Sequence, residues 1–164
     1  MDNYFMCYRK AYNGVTTVKQ SCTRDLFLEH LNRNSISYYS SGENGNNIRL
    51  YYRLRNTGFK IEQDIYVGRY TYSCRTNIAE KPPTREAELE LMSRLIKINK
   101  GIARGKFEYN PAEKQLNYYD HISLRRRTKL VNISRLSERF DEMINLPHFL
   151  LDVEYADFLL SVLK

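Results

Sequence analysis

Residues 47–55 alternate between two kinds of side chain, and this alternation constrains the fold more than any other feature. Successive side chains of a β-strand point to opposite sides of its sheet. One side of this predicted strand is apolar or aromatic and consists of Ile48, Leu50, Tyr52 and Leu54. The other side carries Arg49, Tyr51 and Arg53. The stretch therefore predicts a sheet with one face buried and one face turned to solvent or to a partner.

Further strand patterns flank this stretch on both sides. Residues 35–41 and 59–67 each predict a strand, and the turns between them, at 42–47 and 56–58, are rich in residues that tolerate positive φ. We expect Gly68 to bend or bulge the third strand, which then continues through Tyr70, Tyr72 and Cys74. The block is thus predicted to contain three strands.

Helical patterns precede and follow this block. Thr23 predicts the N-cap of a short helix that ends at residues 32–34, and Thr84 predicts the N-cap of the main helix. The main helix extends to residue 100, and Gly101 is expected in the left-handed conformation that ends many helices. Its predicted buried stripe is Leu91, Met92, Leu95 and Ile98. Its carboxylates are expected in solvent and are Glu86, Glu88 and Glu90.

A hairpin and two helices complete the chain. Residues 105–110 and 115–124 predict the two strands of the hairpin, and a bulge would turn Tyr119 to the buried side. A helix with apolar residues Leu136, Phe140 and Met143 follows the basic run at 124–129, and Pro147 is expected to interrupt it. The apolar stripe of the terminal helix is predicted to be Val153, Ala156, Leu160 and Leu163, with Phe158 and Leu159 alongside.

The predicted element order, α-βββ-α-ββ-α with a further C-terminal helix, indicates the α+β class. We expect a mostly antiparallel sheet with helices packed on one face. Residues 1–164 are predicted to form a single domain. Within it, residues 1–21 form an N-terminal arm or hairpin, residues 22–145 form the core, and residues 148–164 form the C-terminal helix.

The segments RLIKINKGIARGKFEYNP and KQLNYYDHISL resemble the central signature of the YbjN family. In that signature a helix ends near an Asn and a Gly, and a G-x-F-E strand, a charged turn and a second strand follow. The matching residues are Asn99, Gly101, Gly105, Phe107 and Glu108. The resemblance implies a fold similar to that of type III secretion chaperones. It also implies a protein-binding scaffold, often dimeric, that has no catalytic centre.

Charge and composition indicate which classes of partner the chain can bind. The net charge of +7 and the pI near 9.3 favour an acidic protein surface or a nucleic acid. Tyrosine, which suits strands and interfaces, occurs 14 times. Cys7, Cys22 and Cys74 have neither the paired spacing of a zinc site nor the even number of a disulfide framework. No signal peptide or membrane-span pattern is found, which predicts a cytoplasmic location.

Catalytic, cofactor-binding and metal-binding motifs are absent from the sequence. His30, His121 and His148 are far apart and are expected to be surface or hydrogen-bonded residues. The predicted partner-binding residues are Arg49, Tyr51, Arg53, Arg125, Arg126, Arg127 and Lys129. The favoured function is a non-enzymatic protein-binding module, chaperone-like or regulatory, that holds a partner on its sheet or helix surface. A homodimer is a further expectation. The alternatives are a nucleic-acid-binding regulator that uses the Arg/Tyr strand and the basic run, and an enzyme with an unrecognised site.

Overall fold

The computed structural model describes residues 20–42, 45–124 and 133–164. The predicted arm or hairpin at residues 1–21 therefore falls almost wholly outside the described residues. In chain order the elements are α1 (Gln20–Arg33), β1 (Tyr39–Ser41), β2 (Asn47–Arg53), β3 (Lys60–Val67), β4 (Thr71–Ile78), α2 (Arg85–Gly101), β5 (Lys106–Asn110), β6 (Gln115–Ser123), α3 (Ile133–Phe149), a π-helical turn (Leu150–Glu154) and α4 (Ala156–Leu163).

The strands form one antiparallel sheet of six, in the order β1-β2-β3-β4-β6-β5. The helices pack on one face of this sheet. Under α1 and α3 lie inward side chains such as Ile48 and Ile65, and under α2 and α4 lie Leu116 and Tyr118. The predicted α+β class, with an antiparallel sheet and helices on one face, is confirmed.

The strand count is one higher than predicted, because Gly68 belongs to a turn rather than to a bulge. The N–H of Gly68 donates to the carbonyl of Thr71 at 2.8 Å. On either side of this turn β3 and β4 pair with each other, starting with Val67 opposite Tyr72. The first strand is shorter than predicted, since only residues 39–41 of the expected 35–41 are paired.

Thr23 is not the N-cap of α1, because the helix begins three residues earlier, at Gln20. Thr23 is buried, and its hydroxyl donates to the carbonyl of Gly68 at 3.0 Å. The hydroxyl of Tyr72 in turn donates to the carbonyl of Thr23 at 2.8 Å. The side chain thus ties α1 to the β3–β4 turn, a tertiary role that local sequence could not reveal.

Helix α2 begins as predicted, with the Thr84 hydroxyl accepting from the N–H of Ala87 at 3.2 Å. Of its predicted stripe, Leu91, Leu95 and Ile98 are buried. Met92 is 39% exposed, so its assignment to the core is wrong. Glu88, expected in solvent, is buried instead, where its carboxylate pairs with Arg85 at 2.6 Å.

The glycine that needs its conformational freedom is Gly105 and not Gly101. Gly101 is the last residue of α2 and does not have the predicted left-handed conformation, and an added Cβ would meet nothing within 4 Å. Gly105 has φ +72°, and its Cβ would lie 2.2 Å from the hydroxyl oxygen of Tyr118 and 2.7 Å from the carbonyl oxygen of Tyr119. Gly105 therefore permits a close approach of the chain to β6.

The side chain of Asn99 acts as a short strand partner for β5, which is an edge strand. Its amide group donates to the carbonyl of Phe107 and accepts from the N–H of Phe107, both at 2.8 Å. Phe107 itself points into the core. The predicted bulge before Tyr119 is absent, because the β5–β6 register runs unbroken and Tyr119 lies on the face opposite Tyr118.

The C-terminal helices differ from the predicted pattern. Helix α3 continues through Pro147 to Phe149, and a π-helical turn, not the proline, separates it from α4. A π-turn holds more residues than an α-turn and shifts the phase of the following side chains. The buried residues of α4 are accordingly Leu159, Val162 and Leu163. Leu163 is therefore buried as predicted, whereas Val153 is exposed and Ala156 and Leu160 are only partly buried.

The π-turn also places Asp152 against the β2–β3 turn. Its carboxylate accepts from the N–H groups of Arg55, Asn56 and Thr57 at 2.8–3.1 Å and from the Thr57 hydroxyl at 3.0 Å. Partial burial opposes ionisation, but the hydrogen bonds from Thr57 and Asn56 outweigh it and lower the pKa of Asp152. The contact fixes the end of the helical layer to the sheet.

Candidate binding face

The sheet face opposite the helices, here named the open face, is the candidate site. It consists of the outward side chains of the strands, which the register arranges in rows across the sheet. The longest row crosses every strand and contains Tyr39, Arg49, Asp64, Arg75, Tyr119 and Lys106. The row beside it contains Tyr51, Glu62, Asn77, Asn117 and Glu108.

Three tyrosines dominate the exposed surface of this face. Tyr39, Tyr51 and Tyr66 are 70%, 55% and 51% exposed. The rings of Tyr39 and Tyr51 meet edge to face, with 6.1 Å between their centroids. Tyrosine rings give a partner a large, rigid contact area while the hydroxyl remains hydrated, so residues of this kind are enriched at protein interfaces.

Asp64 is the centre of the charges on the open face. Its carboxylate pairs with Arg49 Nε at 2.6 Å on one side and with Arg75 Nη2 at 2.9 Å on the other. Glu62 lies 3.3 Å from the same nitrogen of Arg49. Hydrogen bonds to the Tyr51 hydroxyl and to Asp64 raise the pKa of Arg49, and those to Asp64 raise the pKa of Arg75. The arginines are therefore held in place by carboxylates and are partly neutralised.

The structure brings three of the predicted partner-binding residues together, since Arg49, Tyr51 and Arg53 all lie on the open face of β2. The other four, Arg125, Arg126, Arg127 and Lys129, lie outside the described residues. Sequence reasoning missed Tyr39, Tyr66, Asp64 and Arg75 as members of the same face. The outward positions of residues 60–67 carried a signal for Tyr66 and Asp64, but only the register shows which strands are neighbours.

Two of the histidines lie in the helical layer, where His30 is buried and His148 is partly buried. Nε2 of His30 lies 3.1 Å from a carboxylate oxygen of Asp141, and burial lowers the pKa of His30 although Asp141 acts in the opposite sense. Burial lowers the pKa of His148 to about 4, and its ring packs against Tyr52 at 4.3 Å. These contacts attach α3 to α1 and to the sheet, and neither histidine reaches the open face.

Within residues 20–42, 45–124 and 133–164, no group of three or more His, Cys, Asp or Glu side chains is placed to hold a metal ion. Cys74 is a free thiol in the core, and burial raises its pKa to about 12. No helix in the described part of the chain is long and apolar enough to span a membrane.

Comparison with solved structures identifies the fold. YbjN from E. coli, a candidate transcription regulator, superposes with a TM-score of 0.55 over 85% of this chain and 94% of the YbjN chain, at 16% sequence identity. The chain has a YbjN-like fold. The predicted resemblance is thereby confirmed at the level of the fold, which is what this identity supports. No family model and no curated protein sequence matches the chain.

Proposed function

We propose that this chain with a YbjN-like fold is a non-enzymatic protein-binding module, regulatory or chaperone-like, that holds a protein partner on its open face. The observation that carries the proposal is the exposure of Tyr39, Tyr51 and Tyr66 on one side of a sheet whose other side is packed under helices. Such a surface is rigid before binding, so little ordering is required of it when a partner docks.

The charges on the open face favour a protein partner over a nucleic acid. Phosphate binding relies on arginines whose charge is available to the backbone. Here Arg49 and Arg75 share the carboxylate of Asp64, which leaves a mixed surface of both signs. A surface of both signs suits a protein partner whose own charges alternate around an acidic patch. The exposed Arg53 would face the acidic patch of that partner.

The remaining parts of the proposal are a regulatory role, a homodimeric state and a cytoplasmic location. YbjN is itself described as a candidate transcription regulator, which accords with the regulatory role. The free thiol of Cys74 is in keeping with a reducing compartment.

The test compares three immobilised proteins in lysate of the source cell: the wild type, a Tyr51→Ala/Tyr66→Ala double variant, and a Phe149→Ala control. Phe149 is 49% exposed, like Tyr66, but lies at the end of α3. We expect at least one protein to be retained by the wild type and the control and lost by the double variant. If no protein separates the variants in this way, the open face is not a protein-binding site.

The same proteins are then titrated with fluorescent single-stranded and double-stranded oligonucleotides at low salt. Binding that weakens steeply with salt and that the double variant loses would replace the protein-binding function with the nucleic-acid alternative. Absence of such binding, together with a lost protein partner, supports the proposal.

A further inference from the structure

Three polar side chains of the helical layer line up where α1 meets α3. Nδ1 of His30, on α1, lies 3.1 Å from the hydroxyl oxygen of Ser137 on α3. Nε2 of the same ring lies 3.1 Å from a carboxylate oxygen of Asp141, one helical turn after Ser137. The contacts thus run from a hydroxyl through an imidazole to a carboxylate. This is the order of a serine nucleophile, its general base and the group that orients the base.

The contacts of the imidazole determine which of its nitrogens carries the proton. A carboxylate can only accept, so the contact with Asp141 requires a proton on Nε2 of His30. The side-chain amide nitrogen of Asn34 also lies 3.5 Å from Nε2, but it donates to the His30 carbonyl at the shorter distance of 3.0 Å. In the neutral ring, Nδ1 is therefore the acceptor, and it accepts from the Ser137 hydroxyl.

The imidazole is fixed in this position by aromatic neighbours. The ring of His30 is buried, stacks on Phe27 and meets Phe140 edge to face, with 5.3 Å between the centroids. Ser137 and Asp141, in contrast, are both partly exposed. The cluster therefore has a fixed base at its centre and a hydroxyl that a small molecule can reach from solvent.

We propose that Ser137 is a nucleophilic serine that accepts an acyl group from an activated ester. The Ser137 oxygen bonds to the carbonyl carbon of the ester, and the bond from that carbon to the leaving oxygen breaks. The hydroxyl proton passes to Nδ1 of His30 and from there to the leaving oxygen, so that acyl-Ser137 and an alcohol are formed. Asp141 is a positioning residue, because it holds the ring and its tautomer and touches no reacting atom.

The make-up of the cluster limits it to a single acylation. None of the three side chains is a donor aimed at the oxyanion that forms on the carbonyl oxygen, and removal of one such donor slows an enzyme by about a hundredfold or more. The ester must therefore have a good leaving group, and the acyl group should stay on Ser137. Such a modification site is compatible with a non-enzymatic binding module. It does not depend on the open face, which lies on the other side of the sheet.

The first experiment mixes the full chain with para-nitrophenyl acetate, follows the release of nitrophenol and locates the acetyl group by peptide mass spectrometry. We expect a burst of one equivalent, with the acetyl group on Ser137, and Ser137→Ala should lose both. The matched control, Ser161→Ala, should keep both, because the Ser161 hydroxyl donates to the Phe158 carbonyl at 2.7 Å and not to a histidine. A wild type without a burst, a burst that Ser137→Ala retains, or acetylation of lysines alone would overturn the inference.

The second experiment measures the rate of the burst as a function of pH. Burial lowers the pKa of His30 below 6.5, Asp141 acts in the opposite sense, and Arg33 lowers it further. Because the neutral ring is the base, the rate should rise with pH through a midpoint below 6.5 and then level off. Asp141→Ala should lower the plateau by about tenfold or more and move the midpoint to lower pH, since it removes the group that raises the pKa.

A purely structural role of this cluster leads to different results. Loss of the Asp141 contact would then lower stability and leave the midpoint of the pH profile where it is. Circular dichroism establishes that each variant is folded before its rate is compared with that of the wild type. An unchanged midpoint in folded Asp141→Ala would show that His30 is not the base for Ser137.

Discussion

Tyr72 and Tyr66 occupy neighbouring strands, and Tyr66 is directly opposite Ser73, the residue next to Tyr72. Their surroundings nevertheless differ completely. Tyr72 is fully buried on the covered face, where its ring meets Phe27 and Phe140 and its hydroxyl donates to Thr23. Tyr66 stands half exposed on the open face. One residue type thus fills the core on one side of the sheet and lies open to solvent on the other.

The largest expected effect is on the covered face. Tyr72→Ala should lower the free energy of unfolding by about 3–5 kcal/mol, since it removes a buried ring and leaves a cavity among aromatic neighbours. Tyr66→Ala should change it by less than about 0.5 kcal/mol. Urea titration of both variants measures the contrast. Similar losses in the two variants would show that the two faces do not differ in this way.

The next effect concerns the close approach of Gly105 to β6. Gly105→Ala should destabilise the fold by about 3 kcal/mol, because it combines a positive φ with a Cβ that collides with the Tyr119 carbonyl. Gly101→Ala, in the last turn of α2, should be neutral or stabilising by up to about 1 kcal/mol. The unfolding temperatures of Gly105→Ala and Gly101→Ala, each compared with the wild type, test this contrast. A greater loss at Gly101 would reinstate it as the critical glycine of the segment.

A smaller, pH-dependent effect on stability is expected at Asp152, in the π-helical turn between α3 and α4. Asp152→Ala should destabilise the fold by about 1–2 kcal/mol at neutral pH, because three N–H groups lose a charged acceptor. Folding lowers the pKa of Asp152 from its unfolded value of 3.8. The contribution of Asp152 to stability is therefore complete above pH 3.8 and is lost as the pH falls through the lower pKa of the folded state.

Urea titrations of wild type and Asp152→Ala from neutral to acidic pH test this sign. The two stability curves should run parallel above about pH 5 and converge as the pH falls below 3.8 and through the lowered pKa of Asp152. Asp152→Asn is the control, since it keeps one acceptor oxygen for Asn56 and Thr57 but loses the charge, the titration and the acceptor for Arg55. Curves that stay parallel down to the lowest pH would show that the carboxylate charge does not hold the β2–β3 turn.

The sequence predicted what depends on local periodicity. The alternation at residues 47–55 correctly assigned Ile48 and Leu50 to the covered face and Arg49 and Tyr51 to the open face. The cap at Thr84 and the hairpin at residues 105–124 were correct for the same reason, since a few adjacent residues determine them.

What the sequence could not predict depends on contacts between distant residues. Thr23 has the side chain of an N-cap, but its partners are Gly68 and Tyr72, which only the folded chain brings near it. The pairing of Arg49 with Asp64 requires the β2–β3 register, so the Arg/Tyr strand read alone looked more basic than it is. The phase of α4 was missed because no sequence pattern marked the π-turn before it.

The smallest expected effect on stability, and the sharpest test of the open face, is at Arg53. Arg49→Glu would set a third carboxylate beside Glu62 and Asp64, so it would disturb the fold as well as the surface. Arg53 is exposed and lies opposite Lys60, so Arg53→Glu creates a favourable cross-strand pair and should change stability by less than about 0.5 kcal/mol. Its effect should appear in binding, as slower association with the captured partner and a defect that shrinks as salt is added.

Arg139→Glu on α3 changes the net charge equally on the helical side and should leave association unchanged. Stopped-flow association of both variants at low and moderate salt measures this. Equal slowing by the two changes would mean that overall charge, and not the open face, attracts the partner.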